Sequence, residues 1–201
     1  MRALLIALMT LAAAATQAAA VTVDKENAYR VEVVVFAIDM PELTGGELWT
    51  RETGQPARAL PEEFLLPQGT SPSDSPMRAA AAALAQDPRF RVLAQAAWTQ
   101  IAEARSTTKP VRLRGGNPLN PGELDGTLRF FMSRYLHLDI DLSYEDGSGA
   151  TVAALPAADR PAEPLRYRIR EQRRIKSQET HYFDHPKFGL LVRVTPLVSS
   201  R

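Results

Sequence analysis

The stretch that decides the fold is Leu128-Arg-Phe-Phe-Met-Ser-Arg-Tyr-Leu-His-Leu-Asp-Ile-Asp-Leu-Ser-Tyr144. Leu128, Phe130, Met132, Leu136, Leu138, Ile140, Leu142 and Tyr144 alternate with Arg129, Phe131, Ser133, Tyr135, His137, Asp139, Asp141 and Ser143. Only Arg134 interrupts the apolar series. Side chains along a strand point alternately to its two faces. A period of two over this length therefore predicts one long strand, or two joined by a bulge, with one face buried.

Downstream, Leu165, Tyr167, Ile169 and Ile175 alternate with Arg166, Arg168, Arg170, Arg174 and Lys176, the pattern of a further half-buried strand. Asp184-His-Pro-Lys-Phe-Gly189 reads as a turn, and Leu190 to Thr195 as a last strand. Upstream, Phe90 to Trp98 reads as a strand, with a helix as the alternative because alanine and glutamine also favour one. Ser75-Pro76 offers an N-cap and a first helical residue, and the alanine-rich run Met77 to Gln86 predicts a short helix. Tyr29 to Asp39 is β-branched and apolar on both faces over Val33 to Ile38, which predicts a central strand covered on both sides. Residues 40–75 hold five prolines and Gly45-Gly46 and suit a long surface connection, pinned to the body by Trp49, Phe64, Leu65 and Leu66. Gly147 to Pro164 reads as another turn and loop. The expected fold is an α+β domain: an antiparallel β-sheet with one or two short helices packed on one face.

The first residues predict export. Met1-Arg2 is a positive start, Ala3 to Ala15 an apolar run, and Ala18-Ala19-Ala20 a small-residue cleavage site. Residues 1–20 are read as a cleaved signal peptide and 21–201 as one domain; the apolar run is short of the roughly 20 residues of a membrane span. No membrane insertion is expected. The chain has 24 basic and 23 acidic residues, without the strong basic excess of a nucleic-acid binder. It has no cysteine, which excludes thiol catalysis, cysteine-ligated metals, disulfides and lipoprotein acylation.

Three groups of residues could carry function. Arg166, Arg168, Arg170, Arg174 and Lys176 should project from one sheet face, where guanidinium forks match carboxylates. The bland reading of the same stripe is a solvated face neutralised by Asp139 and Asp141 on a neighbouring strand. Tyr135 and His137 share the polar face of the long strand with those aspartates, as a glycan groove would require. His181, Asp184 and His185 lie close enough in sequence to invite a metal reading, with His137 as a further ligand. They lack the helical His-Glu-x-x-His pattern, and a turn beside Pro186 explains them without a metal. No Gly-x-Ser-x-Gly or Ser-x-x-Lys motif is present, and paired carboxylates alone do not make a glycosidase. The chain is read as non-catalytic, with no metal and no cofactor.

Several strings together resemble the CsiV family of periplasmic peptidoglycan-binding proteins. They are Tyr135-Leu-His-Leu-Asp139 with Asp141-Leu142, Glu171-x-Arg-Arg-Ile-Lys-Ser177, and His181-Tyr-Phe-Asp-His-Pro-x-Phe-Gly189. Tyr29 to Phe36 and the Arg91-Val-Leu93 to Trp98-x-Gln100 segment are also similar to it. The resemblance implies a periplasmic protein that binds murein. It further implies support of cell-wall synthesis through an outer-membrane lipoprotein activator of a class A penicillin-binding synthase. It carries over no ligand-contacting residue. The signature residues His181, Tyr182, Phe183, Asp184, His185, Pro186, Phe188 and Gly189 could define a turn as well as a site. Alternatives are an envelope protein-interaction factor that touches no glycan, marked by an apolar strand edge or an exposed Trp49 patch, and an unrecognised murein hydrolase.

Overall fold

The computed structural model describes residues 27–39, 69–117, 120–146 and 165–197. The expected signal peptide, the connection bearing Trp49 and Phe64 to Leu66, and the Gly147 to Pro164 loop lie outside these residues. Among the described residues there are eight strands and one helix: β1 Ala28–Ile38, α1 Pro76–Gln86, β2 Phe90–Ile101, β3 Val111–Asn117, β4 Asn120–Met132, β5 Leu136–Asp146, β6 Leu165–Ile175, β7 Thr180–His185 and β8 Phe188–Pro196. They form two four-stranded antiparallel sheets rather than the single sheet expected. Sheet A has the order β2-β1-β8-β7 and sheet B the order β3-β4-β5-β6. The likeness to an α+β domain is therefore partial, because the fold is mostly β with one short helix.

Every strand lies beside its sequence neighbours, and β1 pairs with β8, so the chain runs once around a flattened barrel. At two places, β2/β3 and β6/β7, neighbouring strands touch without a ladder. Each seam is sealed in its own way. Gly115 lets β3 approach so closely that an added Cβ would stand 2.2 Å from the Leu93 carbonyl oxygen. Across the other seam, Arg173 lies 4.3 Å over the Phe183 ring and donates from Nη1 to the Tyr182 carbonyl oxygen at 2.9 Å. The guanidinium there bonds a carbonyl of β7, the edge strand of sheet A.

The alternation in the deciding stretch is real, but it spans a hairpin and not one strand or a bulge. Met132 pairs with Leu136 around the turn Ser133–Arg134–Tyr135. Three turn residues between paired positions leave both flanking side chains on the same face, so the period of two runs through the reversal unbroken. Leu128, Phe130, Leu138, Ile140 and Leu142 are all fully buried and meet Val31, Val33, Val35, Phe188, Leu190, Val192 and Val194 of sheet A in one core.

Sheet A is covered on its second face as well. Val34, Val92 and Leu191 pack against Met77, Ala81 and Leu84 of α1, which accounts for the two-sided apolar pattern of β1. The helix begins where the sequence predicts. Ser75 caps it by accepting from the Met77 amide at 3.1 Å, and Pro76 occupies the first turn. The Ser75 hydroxyl also donates to Glu32 Oε1 at 2.6 Å, anchoring the helix start to a carboxyl that is 3% exposed at the centre of the sheet.

Candidate functional site

With α1 on sheet A, the outer face of sheet B is the one on which no described helix or strand packs. Register fixes what it displays. Partnered residues share a face, so Arg112, Thr127, Asp141 and Arg170 form one rung, and Arg114, Asp125, Ser143 and Arg168 another. Arg129, Asp139 and Gln172 form a third, Phe131, His137 and Arg174 a fourth, and Glu145 with Arg166 a fifth. Arg166, Arg168, Arg170 and Arg174 thus point outward together, and Lys176 follows at the strand end.

Arginines outnumber carboxylates on this face, and the carboxylates are already engaged. Arg112 holds Asp125 through two bonds of 2.9 Å, with Arg114 at 3.5 Å. Burial on its own would push the Asp125 carboxyl up, but the Arg112 bonds and the nearby positive charges outweigh it and hold it below its ordinary range. Arg168 forks Asp141 at 2.7 Å and 2.7 Å, Arg166 bonds Glu145 at 2.9 Å, and Arg105 reaches Asp139 at 2.7 Å. The neutralising role expected of the two aspartates is therefore half met: Asp141 takes a stripe arginine, whereas Asp139 binds an arginine from the loop after β2. Lys176 has its own partner, Glu179, at 3.4 Å. Arg170 and Arg174 are exposed and have no carboxylate partner among the described residues.

Tyr135 and His137 occur at the same end of this face. Tyr135 is 40% exposed, but the Arg174 guanidinium lies 3.5 Å over its ring centroid, and Arg134 lies 5.6 Å away. The ring carries cations where a stacked sugar would sit. His137 stacks on Phe131 with centroids 5.1 Å apart and places Nδ1 2.8 Å from the Tyr135 carbonyl oxygen, which positions the imidazole against the turn.

The signature string forms the β7–β8 hairpin, and most of its members build it. Phe183 and Phe188 are fully buried in the core. Tyr182 stacks on Phe36 with centroids 6.2 Å apart, and Gly189 leaves room for both rings: an added Cβ would stand 2.6 Å from Phe36 and 2.8 Å from Tyr182. His181 sits at the opposite end of β7 from His185, with Nε2 3.0 Å from the Lys176 carbonyl oxygen. His185 packs between Tyr167 and Phe188 and accepts from the Lys187 amide at 3.2 Å. Burial lowers its basicity, against the opposing charge of Asp184, while Lys187 lowers it further. No group of three metal-ligating side chains converges among the described residues.

Around His185 lies a cluster that sequence reasoning missed. Tyr144 packs against Tyr167 and Phe188, and Arg91 forks Glu123 while its Nη2 lies 3.4 Å from the Tyr144 hydroxyl. Glu123 is 2% exposed, so its carboxyl is taken from water and held by Arg91 at the end of the barrel where β4 begins. Partners 32 residues apart leave no local pattern to find.

The profile of the family described as Peptidoglycan-binding protein, CsiV, matches residues 65–197. The chain belongs to the CsiV family. The matched span holds α1 and β2 to β8, and β1, at the centre of sheet A, lies ahead of it. No curated protein and no solved structure matches the chain. Membership of this family gives a peptidoglycan-binding protein and an envelope setting for a chain in which no described helix is long and apolar enough to cross a membrane.

Proposed function

We propose that this CsiV-family protein is a non-catalytic, exported accessory factor that holds peptidoglycan on the outer face of sheet B. In this reading residues 1–20 direct it to the periplasm and are removed. It then supports wall synthesis through an outer-membrane lipoprotein activator of a class A penicillin-binding synthase. The observation that carries the binding role is the surplus of outward arginines on a sheet face that no described helix or strand covers, beside a polymer whose peptides bear carboxylates. A non-catalytic role is supported by Asp139 and Asp141, which share the face but are each tied to an arginine. A free acid–base pair is therefore not formed by them. The pairing of four strand edges into two seams leaves little for a partner strand to add to, which favours the wall polymer over a protein as the main ligand.

Co-sedimentation with purified sacculi tests the proposal. The protein should pellet with sacculi at 50 mM salt and be released progressively towards 500 mM, because exposed charge contacts are screened over about 10 Å at 0.1 M. Protein that stays in the supernatant at low salt refutes it.

A further inference from the structure

Resting on that reading, the geometry points to the peptide stems of peptidoglycan, and not its glycan strands, as what this face recognises. We infer that Arg170 and Arg174 are the carboxylate-binding pair and that Tyr135 is a positioning residue for Arg174.

Four observations converge on this. The face has more guanidinium groups than carboxylates, and the four carboxylates are held by Arg112, Arg105, Arg168 and Arg166. The exposed cations left over, Arg170 and Arg174, stand on the same face of β6 with Gln172 between them. Arg129, on the rung of Gln172, has its Nε buried without a hydrogen-bond partner among the described residues, so this stretch lacks acceptors. Finally, the Arg174 guanidinium carbon stands over the Tyr135 ring, 3.5 Å from its centroid. A guanidinium stacked on a ring keeps its N–H groups in its own plane, directed sideways and unspent, the geometry in which it forks a carboxylate.

The same stacking argues against sugar. A glycan platform needs an open aromatic face, and the Tyr135 ring already bears Arg174. The hydroxyl-binding carboxylates a sugar site uses are likewise taken by arginines. An extended acidic peptide fits better. Same-face positions on a strand repeat about every 7 Å, so Arg170 and Arg174 stand about 13 Å apart along β6, and an extended peptide laid beside them repeats its groups at the same interval. Gln172 offers an amide donor and acceptor to the peptide backbone between the two carboxylates.

Binding is measured with three probes: intact sacculi, glycan strands freed of peptide by an amidase, and a fluorescent stem tetrapeptide with or without amidated carboxyls. The expected result is binding to intact sacculi and to the free-acid tetrapeptide, with loss on stripped glycan and on the amidated peptide. Arg170→Gln with Arg174→Gln should weaken tetrapeptide binding about tenfold, the loss of charge-assisted bonds. Tyr135→Leu should weaken it about threefold and Tyr135→Phe should leave it unchanged, since the ring and not the hydroxyl holds Arg174. All three substituted side chains are exposed, and circular dichroism checks the fold of each variant. Wild-type protein that binds stripped glycan as tightly as intact sacculi overturns this inference while leaving peptidoglycan binding in place. Failure to bind intact sacculi overturns the underlying reading itself. Unchanged tetrapeptide affinity in the double arginine variant overturns the residue assignment.

Discussion

Ser75→Ala should loosen the α1 cover by more than an ordinary lost cap. The hydroxyl accepts from the Met77 amide and donates to Glu32 at the same time. Losing the cap costs about 1 kcal/mol. Removing the donor also strands an acceptor that is 3% exposed, which adds about 1–3 kcal/mol. The expected loss is about 2–4 kcal/mol, a large share of the ~5–15 kcal/mol that holds a domain folded. In a domain of this size that lowers Tm by about 5–15 °C. Urea unfolding followed by far-ultraviolet circular dichroism on Ser75→Ala, Glu32→Met and the double variant gives the numbers. Removing hydroxyl and carboxyl together orphans neither, so the double variant should be more stable than the sum of the singles by at least about 1 kcal/mol. Losses that simply add to within about 0.5 kcal/mol would refute the coupling of cap to sheet.

Two further expectations concern stability. Gly115→Ala should cost about 3 kcal/mol, because the new methyl meets backbone at the β2/β3 seam and neither strand can yield without breaking its own ladder; denaturant midpoints check it. His185 is half-buried with a lowered basicity, so over the window below its unfolded value of about 6.5 the unfolded chain binds a proton that the folded chain does not. Stability should therefore fall as pH drops through that window, by up to about 1.4 kcal/mol per unit, and level off below the folded value. His185→Asn, which keeps an acceptor for the Lys187 amide, should lack this component of the slope; an identical pH profile in the variant would show that the imidazole is not its source.

Legibility followed the range of the interactions. The helix start was readable because Ser75, Pro76 and the alanine run act locally, and the cap forms as those residues imply. The alternation of Leu128 to Tyr144 gave the buried face correctly but concealed the turn at Ser133, since three turn residues preserve parity. Phe90 to Trp98 resolved to a strand over its helical alternative because pairing with β1 outweighs the propensity of alanine. β3 carries Gly115-Gly116 and alternating arginines, which give no strand signal although its close approach requires glycine. Division into two sheets was illegible, because seams depend on which edges meet and not on any segment alone. At the site, the outward direction of Arg166 to Arg174 followed from period two. Which of them were already neutralised did not, because Asp141 and Glu145 are 27 and 21 residues from their partners.

The β1–β8 pairing has a consequence for biosynthesis. β1 is among the first described segments to be made, yet its second neighbour ends at residue 196, and β7 has its ladder with β8. At 5–20 residues per second, roughly 10–30 s pass between the two strands, during which β1 can pair with β2 but lacks its other neighbour, β8. Sheet B can assemble from consecutive hairpins in that interval, but sheet A, and with it the shared core, is completed only when the last strand emerges.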